Sequence, residues 1–70
     1  MRVAYYPETD SLYIDLSAKH GQDVREVADG IVLDLDEEGN IVGIDIDQAS
    51  RKLDLSRLEA VGFPGVLAAA

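Results

Sequence analysis

Cysteine is missing from this 70-residue chain, which excludes disulfides and thiolate metal sites. Basic side chains are scarce: six Lys and Arg stand against fourteen Asp and Glu, for a net charge of -8. A phosphate backbone would meet a repulsive field, so no nucleic-acid partner is expected. No apolar run approaches the ~20 residues of a membrane-spanning helix. Met1-Arg2-Val3 leads straight into alternating sequence rather than a signal peptide. These absences predict a cytoplasmic protein with no membrane partner. What is present is an ordinary globular mixture, 47% hydrophobic and 29% charged. The length allows a single domain over 1–70, at the low end of what folds alone.

Alternation with period 2 fills the first two thirds of the chain. Val3 and Tyr5 share one face of a first strand, with Arg2, Ala4 and Tyr6 on the other. Pro7 to Ser11 is a turn cluster, and Leu12, Ile14 and Leu16 then alternate with Tyr13 and Asp15, completing a hairpin. Ser17 to Asp23 is a polar loop. Val24 to Asp29 makes a short, polar third strand, expected at an edge, and Gly30 permits a turn or bulge. Ile31, Leu33 and Leu35 then alternate with Val32, Asp34 and Asp36. After Glu37-Glu38-Gly39-Asn40, Val42, Ile44 and Ile46 alternate with Ile41, Gly43, Asp45 and Asp47. Gly third in a four-residue link fits a type I turn followed by a left-handed residue. One face of this hairpin is Leu, Ile and Val, and the other is largely aspartate.

Past Asp47 the period changes. Ala49 to Leu55 allows one or two loose helical turns. Ser56-Arg57-Leu58-Glu59 matches a capping box, predicting a short helix through Val61 with Gly62 at its C-terminal cap. Val66 to Ala70 has no partner in view and is expected to fray. The fold expected is α+β: an antiparallel β-meander of four to five strands with a short C-terminal helix packed on the apolar face. So small a core leaves apolar surface over, which predicts a homodimer that buries this face or pairs an edge strand.

Tyr5-x4-Asp10-x-Leu12-Tyr13-Ile14-x-Leu16, followed by Gly30-Ile31-Val32-Leu33-Asp34-x-Asp36-x2-Gly39-x-Ile41-Val42-Gly43-Ile44-Asp45-Ile46-x2-Ala49-Ser50, resembles a family of small bacterial proteins. It is the domain-of-unknown-function family numbered twenty-two eighty-three. The likeness spans about residues 2–53 and leaves the helix and tail, 54–70, outside it. It implies a compact, mostly β domain with a C-terminal helix, and it transfers no activity and no catalytic residue. Some members of such families sit beside small toxin genes, so the resemblance allows an antitoxin-like role.

Two constellations could carry function. Asp34-x-Asp36-x-Glu38-Gly39-x-Ile41-x3-Asp45 copies the oxygen spacing of a calcium loop, making Asp34, Asp36, Glu38 and Asp45 weak cation-ligand candidates. Against this, Glu38 is long for its slot, Asp45 is short for bidentate ligation, and both flanks alternate as strands rather than helices. A hairpin turn with solvent-facing aspartates is the simpler reading, and no metal or cofactor is expected. The second constellation is an acidic sheet face of Asp15, Asp34, Asp36, Asp45 and Asp47. Like charges directly opposed destabilise a sheet, so these must be spaced apart or used. The functional use is steering of a basic partner protein; the bland one is solubility.

The remaining residues point to no chemistry. Paired carboxylates as glycosidase acid and base need a concave site that 70 residues of sheet scarcely offer. His20 lies in the polar loop, and Ser17 beside it is too loosely held for a nucleophile–base pair. Tyr5 belongs to the core, while Tyr6 and Tyr13 are expected to pack on each other across strands. Arg51, Lys52 and Arg57 read as helix surface charges. The function expected is a non-enzymatic protein-interaction module using the acidic face, antitoxin-like in form. The alternative is a small-ligand or divalent-cation-binding domain centred on the Asp34 to Asp45 hairpin.

Overall fold

A computed structural model describes residues 1–68 and shows the α+β fold. Its strands are β1 (Arg2–Tyr6), β2 (Ser11–Asp15), β3 (Asp23–Ala28), β4 (Ile31–Leu35) and β5 (Ile41–Ile46), followed by the one-turn helix α1 (Ala49–Lys52). All pairings are antiparallel, in one sheet of order β1-β2-β5-β4-β3. The three hairpins pair as their short links dictate. The Ser17 to Gln22 loop is long enough to cross two strands, so β3 lands at the far edge and β5 closes the gap between β2 and β4. Among the described residues, no helix is long and apolar enough to cross a membrane.

The faces follow the alternation. Leu12 opposes Ile46, Ile14 opposes Ile44, and Ile31 and Leu33 oppose Ile46 and Ile44 from the other side. Ala49, fully buried, packs on Leu12 and Ile46 and so sets α1 on this apolar face, with Ile14, Ile31 and Ile44 around it. A register shift between Asp34 and Leu35 displaces Val42, which lies buried beneath the crossover loop. A Cβ on Gly21 of that loop would sit 3.7 Å from Val42 Cγ2 and 3.3 Å from Asp34 Cβ. The apolar face is incompletely covered: Val3 stays 39% exposed and Tyr5 43%.

The C-terminal segment departs from expectation. The helix predicted from Ser56 through Val61 does not form, and the helical turn lies earlier, where Ala49 has an apolar surface to bury. The Ser56 hydroxyl and amide both donate to Asp54, a local turn that competes with capping. Leu58, Val61 and Phe63 are all exposed, so no packing rewards a helix there. Val66 and Leu67 are likewise exposed. The rest of the predicted fraying end, residues 69 and 70, lies outside the described residues.

Candidate functional site

The face opposite the core carries the candidate residues in two cross-strand rows. One runs Arg2, Asp15, Gly43, Asp34, Val24 from β1 to β3. The next runs Ala4, Tyr13, Asp45, Val32, Glu26. No carboxylate stands directly across from another: Gly43 separates Asp15 from Asp34, and Val32 separates Asp45 from Glu26. The repulsion that opposed like charges would cause is thus avoided by placement. Asp15 and Asp45 are exposed, while Asp34 is half-buried.

Tyr13 joins the two rows. Its phenol crosses Gly43 and donates to Asp34 Oδ2 at 2.7 Å. A Cβ on Gly43 would collide with the Tyr13 hydroxyl and lie 2.7 Å from Cζ, so the bridge needs glycine beneath it. The hydrogen bond to Asp34 holds the phenol in its protonated form and, with desolvation and the charges of Asp34, Asp15 and Asp45, pushes its pKa up to about 12. The ring therefore reaches over β5 toward β4.

Two predicted members of the acidic set stand elsewhere. Asp36 is buried at the β4–β5 turn. Its Oδ1 accepts from the Glu38 amide at 2.9 Å and the Asn40 amide at 2.8 Å, and Oδ2 accepts from Asn40 Nδ2 at 3.2 Å. The Asn40 amide foremost, then the Asn40 side chain and Glu38 amide, lower its pKa against the opposing effect of desolvation. Asp36 thus shapes the turn and presents no carboxylate to a partner. Asp47 follows β5, where its amide donates to Gly30 O at 2.8 Å and its carbonyl accepts from Lys52 Nζ. It is exposed at the α1 end of the sheet, one alternation beyond Asp45.

The cation candidates are likewise dispersed. Asp34 and Asp45 stand on the sheet face, Asp36 is occupied by the turn, and Glu38 is exposed with Lys19 4.0 Å away. Among the described residues, no three His, Asp or Glu side chains gather as a metal site. An open depression of about 390 Å³, lined by Gly21, Gln22, Asp23, Val24 and Asp34, borders the acidic rows at the β3 edge. His20 is exposed in the loop. Glu26 was not singled out from sequence, since its place in the second row depends on the β3–β4 pairing.

A second polar cluster, unforeseen from sequence, ties the first turn to α1. Asp10 adopts a left-handed backbone, φ 54°. Its Oδ1 accepts from the Tyr5 hydroxyl at 2.8 Å and the Ser50 amide at 3.0 Å, and its Oδ2 accepts from Ser50 Oγ at 2.6 Å. Asp10 O also accepts from the Ala49 amide at 2.9 Å. The Ser50 and Tyr5 hydroxyls, in that order, hold the Asp10 carboxyl below its ordinary range. The residues that carry the family resemblance thus meet in space at three ties: Tyr5, Asp10 and Ser50; Tyr13, Asp34 and Gly43; and Asp36 with its turn.

No curated protein matches the chain, and no solved structure matches it. The family described as "Protein of unknown function (DUF2283)" matches residues 2–50, the span that holds the sheet, the three ties and the start of α1, and the chain belongs to this family.

Proposed function

We propose that the chain is a non-enzymatic protein-interaction module whose acidic sheet face binds a small basic protein, in the manner of an antitoxin. The observation that carries this reading is the pattern of the face itself. Asp15, Asp34, Asp45 and Glu26 share one side of the sheet with a single basic residue of the two rows, Arg2 across from Asp15, and among the described residues the ion pairs, Lys19–Glu38 and Arg57–Glu59, both lie off it. Net negative charge on an open surface draws in an oppositely charged partner and sets its orientation. Tyr13, fixed over Gly43, adds a rigid aromatic ring of the kind that anchors interfaces. The partner is proposed to be a basic protein, and the homodimer expected from the small core is compatible with it.

The test is capture at low salt followed by elution in a salt gradient, repeated with Asp15→Asn combined with Asp45→Asn. Neither side chain makes a hydrogen bond that holds the fold, so the double variant isolates the surface charge. Exposed pairs contribute up to about 1 kcal/mol each, so loss of two predicts up to roughly 30-fold weaker binding. Unchanged affinity would remove the acidic-face reading and shift weight to a small ligand held at the depression beside Asp34.

A further inference from the structure

The sheet ends in two open strands, and they differ. Each presents unpaired backbone groups, a template for another strand. β3 is guarded: its register shifts between Glu26 and Ala28, and Asp23, Arg25 and Glu26 charge half of its residues. Two copies paired antiparallel about a two-fold axis must set a residue against itself at the centre. In mid-β3 this opposes Arg25 to Arg25 or Glu26 to Glu26, both repulsive.

β1 has no such guard. It pairs with β2 through all five residues without a shift, contains no proline, and carries its single charge at Arg2. A two-fold axis at Ala4 is the register that engages the whole strand. It sets Ala4 against Ala4, Val3 against the second copy's Tyr5, and Arg2 against the second copy's Tyr6. The Val3–Tyr5 pairs fall on the apolar face, where both side chains are partly bare. The Arg2–Tyr6 pairs fall on the acidic face, where Tyr6 is 47% exposed and a guanidinium over its ring is favourable.

We propose that the chain forms a symmetric dimer by antiparallel pairing of β1 with β1 of a second copy, centred on Ala4, which joins the two sheets edge to edge. The axis is perpendicular to the sheet, so both acidic faces lie on the same side of the joined sheet. The dimer stands on β1 alone and does not rest on the proposed partner.

The absence of cysteine makes a clean test. Opposed residues in an antiparallel pair have Cα atoms about 4.5–5.5 Å apart, within disulfide reach. Sedimentation of the unaltered protein is expected to give twice the monomer mass. Ala4→Cys is expected to cross-link almost completely under mild oxidation, and Glu26→Cys on β3 is not. Because Ala4 is half-buried, an exposed pair supplies a second reading. Arg2→Cys mixed with Tyr6→Cys is expected to yield the mixed dimer in preference to either self-dimer. A monomer at every concentration, cross-linking through Glu26→Cys as readily as Ala4→Cys, or no preference for the mixed Arg2–Tyr6 species would overturn the proposal. Binding of a basic protein can fail while the cross-links form, so the two proposals are separable.

Discussion

The Tyr13 phenol reaches Asp34 because Gly43 places no Cβ between them, and a single methyl group should undo this. In Gly43→Ala the ring is the mobile partner, so it swings aside while the strand holds. The cost is the lost hydrogen bond, about 1 kcal/mol. The sharper readout is tyrosinate absorbance: the step at about 12 should fall toward ~10, the ordinary tyrosine value. A raised folded-state pKa means that this bond stabilises the protein below pH ~10 and is lost as pH climbs to about 12. Titration of Gly43→Ala indistinguishable from the parent would show that Asp34 does not hold the phenol. At this scale the sequence spoke unevenly. Alternation placed Tyr13, Asp34 and Asp45 on one face, but a diagonal reach over an intervening glycine depends on which strands are neighbours. Asp10 shows the same limit: its partner Ser50 is 40 residues away.

The β4–β5 hairpin was the most legible element, because Gly39 third in the link needs the positive φ that the structure gives it, 85°. Periodicity could not show that Asp36 turns inward to hold that link, since a residue at a strand end is free of the alternation. The pH dependence of the turn follows from its lowered pKa. An ionised Asp36 stabilises the fold above ~3.9, and this contribution disappears as pH falls through its depressed folded-state value. Asp36→Asn keeps an acceptor oxygen but cannot titrate. Its melting temperature should lie below the parent's at neutral pH, and the gap should narrow under acid. A constant gap between neutral pH and pH ~3 would contradict the assigned role. The C-terminal capping box illustrates the opposite failure: Ser56 and Glu59 have the right spacing, but a cap stabilises a helix only where packing already favours one.

Across the whole molecule, one sheet and one helical turn give a core whose buried members are Leu12, Ile46 and Ala49, with Leu35 and Val42 at the crossover end. Leu12→Ala should cost about 2–5 kcal/mol, a large part of what so small a domain has. Urea unfolding should find its midpoint sharply lowered; a shift under ~1 kcal/mol would mean that this cluster does not carry the fold. The five strands and their hairpins could be read from alternation and turn residues. Their order could not, because the polar Ser17 to Gln22 loop does not declare whether it turns back or crosses over. That order also bears on how the protein is made. β5 is the last of the five strands in chain order and sits at the centre of the sheet. Until residue 46 has left the ribosome, the β1–β2 and β3–β4 hairpins have no shared neighbour, and each exposes an apolar strand edge. The nascent chain is therefore most prone to aggregation just before its middle strand arrives, and the sheet closes only once β5 is free to pair.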